Sequence, residues 1–262
     1  MKTGILLLAS IFFGCASAYS QQAGWNWQHP HLQGNDLNSI VMNGVKGWAV
    51  GDIGVVLRTA NSGYDWELVD LNTSVDFSGV YMEEITGRGW IVGEKGTIYY
   101  SDDGGEQWKK QFSGTSEDLY SITANGGDCP WVCGHDVVLH SYDHGENWDK
   151  INTPVHTWFW EIDMKDCDEI WVCGNQSLVM STKDHGATWQ MHSVPTTFNL
   201  MGIDIVSNGD YRACGNQETI IKSSDGGETW VQEHTAPFIS MYAVDTKGIG
   251  GPAYAVGDKG HI

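Results

Sequence analysis

The chain has 262 residues, with 14 Lys and Arg against 33 Asp and Glu and a formal net charge of −19. A surface of that sign repels phosphate backbones and anionic headgroups, so nucleic-acid and membrane-surface binding are excluded as expected functions. With 33 Gly, 13 Trp and only 6 Pro, the composition is that of an ordered, turn-rich chain with an aromatic core.

The first element is a targeting segment. Lys2, the apolar run GILLLASIFFG and the small triplet Ala16-Ser17-Ala18 have the layout of a secretory signal peptide, and the run is too short to span a membrane as a helix. Residues 1–18 are therefore expected to be removed, leaving 19–262 as a secreted, periplasmic or envelope chain that begins at Tyr19. Gly14-Cys15 is also a lipoprotein junction, and lipidation at Cys15 is the rival reading, although Phe12 and Phe13 match that signal poorly. No later stretch is long and apolar enough for a transmembrane helix. His29 and His31 form a close pair without the spacing of a zinc site, and neither a metal nor another cofactor is expected.

From residue 37 a period of about forty residues takes over. TANSGYDW from Thr59 is followed by SDDGGEQW from Ser101, SYDHGENW from Ser141, TKDHGATW from Thr182 and SSDGGETW from Ser223. The closing residues Trp66, Trp108, Trp148, Trp189 and Trp230 are 42, 40, 41 and 41 residues apart. A second marker keeps the same beat: Gly51, Gly93, Gly134, Gly174, Gly215 and Gly257, spaced by 42, 41, 40, 41 and 42.

Within one period, residues 77–112, FSGVYMEE alternates, GWIVGE and GTIYYS are short apolar runs, and EQWKKQF follows the boxed loop. Four short strands per period predict an all-β fold, a β-propeller of four-stranded antiparallel blades. Complete copies are expected over 37–70, 77–112, 119–151, 159–191 and 199–233, with a partial sixth from Ile239. The chain then reads as part of a protein with six or seven blades. GWNWQ, around Trp25 and Trp27, matches a fourth strand arriving alone, as happens where a propeller joins its two chain ends.

The box falls between the third and fourth strands, where a tight turn leaves backbone amides in need of partners. Asn61, Asp103, Asp143, Asp184 and Asp225 can accept bonds from amides across their own turns. Gly63, Gly105, Gly145, Gly186 and Gly227 can supply a positive φ. The box Trp is expected to drop its ring into the seam between blades and to anchor each one. The box carboxylates, Asp102, Asp103, Asp225 and Glu228 among them, therefore read as structural, and no catalytic residue is assigned. Asn61 in the first copy fits, because an amide accepts those bonds but replaces no acid. His144 and His185 occupy the free box position and are expected to face solvent.

Cys133, Cys173 and Cys214 share the register of Val50, Val92 and Val256 and read as buried small hydrophobes. Cys129 and Cys167 lie in equivalent turns of adjacent repeats and are a candidate disulfide. Trp158 and Trp160 stand where other blades carry mostly smaller residues. Alternation places them on one strand face, either as core or as a platform at the central funnel for a glycan or peptide.

The five boxed segments resemble the Asp-box, or bacterial neuraminidase repeat, of sialidases, xyloglucan-cleaving glycosidases and sortilin-type receptors. The register at 89–108 is most similar to the photosystem II assembly/stability-factor-like propellers. The resemblance implies the fold, and the box is shared by proteins with unrelated functions. A sialidase needs three converging arginines, whereas Arg58, Arg88 and Arg212 fall at three different blade positions. The xyloglucan-cleaving enzymes need two facing propellers. The leading reading is thus a secreted, monomeric, non-enzymatic scaffold that binds a protein or glycan. A glycoside hydrolase and a receptor-like ectodomain are the alternatives.

Overall fold

The computed structural model describes residues 35–126, 128–206, 209–236, 238–246 and 253–260. The expectations for residues 1–18, Cys15, Trp25, Trp27, His29 and His31 lie outside these. The described residues form five four-stranded antiparallel sheets and one two-stranded sheet, each with its strands in chain order.

Blade 1 comprises β1 (Leu37–Asn43), β2 (Lys46–Gly51), β3 (Val56–Thr59) and β4 (Glu67–Leu68). Blade 2 comprises β5 (Phe77–Met82), β6 (Gly89–Gly93), β7 (Thr97–Ser101) and β8 (Lys109–Phe112), and blade 3 β9 (Leu119–Asn125), β10 (Asp128–Gly134), β11 (Val137–His140) and β12 (Asp149–Lys150). Blade 4 comprises β13 (Phe159–Met164), β14 (Ile170–Gly174), β15 (Val179–Thr182) and β16 (Gln190–Met191), and blade 5 β17 (Leu200–Ile205), β18 (Tyr211–Gly215), β19 (Thr219–Ser223) and β20 (Val231–His234). The sixth sheet pairs β21 (Met241–Thr246) with β22 (Ala253–Gly257). The all-β propeller read from the repeats, five full blades and a partial sixth, is thus the observed fold.

The first strand of each blade packs against the first strand of the next, so β1, β5, β9, β13, β17 and β21 form the innermost layer. Each of these strands shifts register after its first paired residue. The bulge leaves one residue per blade out of the ladder: Asn38, Ser78, Tyr120, Trp160, Met201 and Tyr242. A bulge re-aims a side chain, and here it does so at one level around the axis.

The core lies in the seams between blades. Its largest members come from the second strands: Trp48, Trp90, Trp131, Trp171 and Tyr211 are all at most 2% exposed. Trp108, Trp148, Trp189 and Trp230 pack at these seams as expected, but the box indoles are not the deepest members. Trp66, Trp108, Trp148 and Trp189 are only half-buried at the rim of the core clusters, and Trp230 alone of the five is buried. The physical reason is that a two- to four-residue fourth strand sits at the outer blade edge, where one side of the ring stays open to water. Cys133, Cys173 and Cys214 are fully buried within the second strands.

The boxed loops are closed by a residue that the sequence pattern marks only as small and polar. In blade 2 the buried Ser101 hydroxyl donates to Asp103 Oδ1 at 2.9 Å and accepts from Gly105 N at 2.9 Å. Asp103 Oδ1 also accepts from Glu106 N and Gln107 N at 3.0 and 2.9 Å. Thr59, Ser141, Thr182 and Ser223 make the equivalent pair of bonds in the other boxes. In blade 1, Asn61 accepts from Asp65 N at 2.9 Å, as its aspartate counterparts do.

Cys129 and Cys167 are joined by a disulfide with a Cα–Cα distance of 6.0 Å. It ties the start of β10 to the β13–β14 connection and so clips blade 3 to blade 4. Among the described residues no helix is long and apolar enough to cross a membrane.

Candidate functional site at the mouth of the central channel

Antiparallel order sorts the connections onto two faces. The second-to-third-strand hairpins and the loops between blades lie at the starting ends of the innermost strands. The boxed loops and the first-to-second-strand hairpins lie at the opposite end. The two faces differ in chemistry.

On the first face, blades 3 and 4 bring an aromatic row together at the channel mouth. Trp158 precedes β13, makes an isolated antiparallel bridge to His135 and stacks on its ring, with centroids 4.8 Å apart at 26°. Trp160, the bulge residue of blade 4, stacks on Tyr120, the bulge residue of blade 3, at 4.9 Å and 25°. The Trp160 Nε1 donates to Asn175 Oδ1 at 2.7 Å, which holds the ring at the top of its own blade. Between them Phe159 is fully buried, so the two tryptophans turn away from the core while their neighbour enters it. Trp158 remains 42% exposed, and Trp160 is half-buried.

Acidic side chains edge this row. Glu117 Oε2 lies 3.0 Å from His135 Nδ1, and Asp136 Oδ1 lies 2.7 Å from His156 Nδ1. Asp136 N also donates to Thr157 O at 2.9 Å, which draws that acid beside Trp158. Burial first, then Asp118, raises the Tyr120 phenol pKa, while the Trp158 side chain acts in the opposite direction. A groove of about 560 Å³ opens next to the row, with Val155, His156, Asn175, Leu178, Met191 and Val194 in its walls.

Below the mouth, inner-strand side chains reach across to the next blade. Glu161 Oε2 accepts from Ile203 N at 2.7 Å, and Asp163 Oδ2 accepts from Ile205 N at 2.7 Å. Burial in the seam pushes the Glu161 carboxyl up to about 8 and the Asp163 carboxyl up to about 7, against the opposing effect of those same amide bonds. Burial also raises Asp204 on the neighbouring strand. In blade 1, Ser39 accepts from Val80 N at 3.3 Å in the register of Glu161, so that acid occupies a structural position that a hydroxyl also fills.

The opposite face carries the boxes. Asp143 and Asp184 are held below the usual carboxylate range, first by bonds from the Asn147 and Thr188 side chains and then by their amides. Asp103, led by its bond from Gln107 N, is lowered as well. His185 is exposed and pairs with Asp168 at 3.0 Å, whereas His144 is half-buried because it turns onto Asp128 at 3.4 Å. The arginines do not meet. Arg58 is engaged by Glu67 and Glu106, Arg88 by Asp128, and Arg212 by Glu233 and Thr246. No group of three or more His, Cys, Asp or Glu among the described residues is arranged to hold a metal.

His135, Tyr120 and Asn175 were not singled out by the sequence. Tyr120 and Trp160 are one period apart at the same register, a signal that could have found the stacked pair.

The fold and site are those of a boxed-blade propeller with an aromatic channel mouth. Residues 77–157 match the family model described as Photosynthesis system II assembly factor YCF48, so the resemblance carried by the repeats is borne out. No curated protein matches the chain. Among solved structures the fold is similar to YCF48 bound to a D1 peptide, at 17% identity and a TM-score of 0.69, covering 85% of this chain and 75% of that one. YCF48 from Cyanidioschyzon merolae is 16% identical with a TM-score of 0.58, covering 87% and 94% of the two chains. The GH74 enzyme of Niastella koreensis is 14% identical with a TM-score of 0.62, covering 75% of this chain and 38% of the enzyme. At such identities the likeness is one of fold.

Proposed function

We propose that this chain is a non-enzymatic scaffold that holds a segment of a partner protein across the channel mouth of blades 3 and 4. The observation that carries this reading is the row formed by His135, Trp158, Tyr120 and Trp160. A half-exposed indole backed by a second ring is a pre-organised apolar surface, the kind that gives affinity at low entropic cost. The matched structure of YCF48 with a D1 peptide supports a protein segment as the ligand. The test is a panel of peptides and oligosaccharides assayed for binding and for product formation in the same samples. The reading predicts saturable peptide binding without product; release of reducing sugar from any oligosaccharide would overturn it.

A glycoside hydrolase has one observation in its favour. Glu161 and Asp163, both raised by burial, line the channel wall, and a raised carboxyl is the state a general acid needs near neutral pH. Their engagement with the Ile203 and Ile205 amides favours the structural role.

We further propose export and a monomeric state. The Cys129–Cys167 bond supports export, because such bonds persist in oxidising compartments. Mass analysis of the exported chain is expected to give Tyr19 as its first residue, and a diacylglyceryl group on Cys15 would overturn this.

A further inference from the structure

The partner's chemistry can be narrowed from the distribution of charge over the two faces. On the channel-mouth face of blades 3 to 5, the connecting segments 113–118, 134–136, 152–158, 174–177, 192–199 and 215–218 contain no Lys or Arg, yet they carry Glu117, Asp118, Asp136 and Glu218. The cations of these blades lie elsewhere and are largely engaged: Lys165 and Lys183 with Glu169, and Arg212 with Glu233. The same face presents Trp158 and Phe198, 42% and 40% exposed. The cation of the adjoining blade 2 hairpin, Lys95, is paired with Glu94 at 3.1 Å, while its backbone N donates to Asp118. An exposed indole edged by carboxylates attracts a guanidinium or ammonium both through its π-face and through the acids.

We propose that the partner segment is basic: an extended peptide that lays an arginine or lysine side chain on Trp158, beside Glu117 and Asp136, and runs from there into the groove of Leu178, Met191 and Val194. This rests on the peptide-binding reading above. Trp158 supplies the stacking surface. Glu117 and Asp136 supply the counter-charge, and the histidines with which they pair, His135 and His156, orient them. The apolar groove takes an aliphatic side chain further along the peptide. Peptides bearing acids on that stretch meet Glu117, Asp118 and Asp136 and are rejected.

The experiment uses three short acetylated peptides of one length and spacing, differing only in whether Arg, Gln or Glu occupies the alternating polar positions. Binding is read by fluorescence anisotropy at low and high salt, with melting curves for every variant. The Arg peptide is expected to bind about tenfold or more tightly than the Gln peptide, to weaken as salt screens the acids, and to leave the Glu peptide unbound. Glu117→Gln with Asp136→Asn is expected to remove the Arg-over-Gln preference. Trp158→Ala should weaken the Arg peptide about three- to thirtyfold, and Trp158→Phe less, at unchanged melting temperature. Equal binding of the Arg and Gln peptides, with both lost in Trp158→Ala, would overturn the basic partner and leave the peptide-binding reading standing. Failure of all three peptides to bind would overturn both.

Discussion

Gly227 of the fifth blade lies flat against the ring of Trp171, the buried second-strand indole of the fourth, so closely that a Cβ at 227 would overlap it. Gly105 stands in the same relation to Trp48, and Gly186 lies near Trp131. In these three blades the boxed loop caps the indole of the preceding blade, and Gly145 of the third meets Gln111 of the second, which makes the box an inter-blade joint as well as a turn. Gly227 also has φ of 84°. Gly227→Ala should cost about 2 to 4 kcal/mol, through overlap and left-handed strain together. Urea unfolding measures it, and a loss below about 0.5 kcal/mol would show that the joint has slack.

The buried second-strand indoles should outrank the box indoles in stability. Trp131→Ala removes a fully buried ring and should cost about 3 to 5 kcal/mol. Trp148→Ala removes a half-buried one and should cost about half as much. Equal shifts in the two chemical-denaturation midpoints would contradict the placement of the core.

The hydroxyl that closes each box should matter more than the carboxylate beside it. Ser101→Ala strips the buried Gly105 amide of its acceptor and should cost about 1 to 3 kcal/mol. Asp103→Asn keeps an oxygen for the Gln107 amide, as Asn61 does in the first box, and should cost less than about 1 kcal/mol. The reverse order, measured by thermal melting at neutral pH, would overturn this division of labour.

These joints show why some of the architecture was legible in the sequence and some was not. Asp-x-Gly-x-x-Trp repeats on a fixed beat because each loop solves the same local problem, and that beat disclosed the blades. The contact between Gly227 and Trp171 joins two different periods and has no local signature, so the second-strand indoles that fill the depth of the seams went unmarked while the box tryptophans at their rim were found. The channel mouth was half visible for the same reason. Trp158 and Trp160 stand out within one blade, whereas His135 and Tyr120 become their partners only when the blades are set side by side, and Asn175 meets Trp160 only once the strands of its own blade are paired.

Stability should carry an alkaline slope from the channel wall. Glu161 and Asp163 have folded-state pKa values raised to about 8 and about 7. Between the ordinary carboxylate range and those values the unfolded chain loses protons that the folded chain keeps, so their contribution is lost as pH rises through that window. The box acids act with the opposite sign. Asp225, lowered to about 2 chiefly by the Thr229 side chain and amide, contributes stability that is lost only as pH falls toward that value. Glu161→Gln should flatten the decline between about pH 5 and 8; an unchanged slope in urea midpoints against pH would contradict the placement of Glu161.

The bond between Cys129 and Cys167 closes a loop with a sequence separation of 38 and should contribute about 2 to 4 kcal/mol. A denatured, unreduced chain beginning at Tyr19 should show the three free thiols of Cys133, Cys173 and Cys214. Five reactive thiols in protein purified from an oxidising compartment would contradict the bond.

The central claim, that a protein segment binds across the mouth of blades 3 and 4, is tested most directly by a hydrogen-exchange footprint with the tightest peptide from the binding panel at saturation. Slowed exchange is predicted in residues 117–121, 134–136, 157–161 and 174–178, with the boxed loops unchanged. Protection confined to the boxed loops, or a peptide panel in which nothing binds, would contradict it.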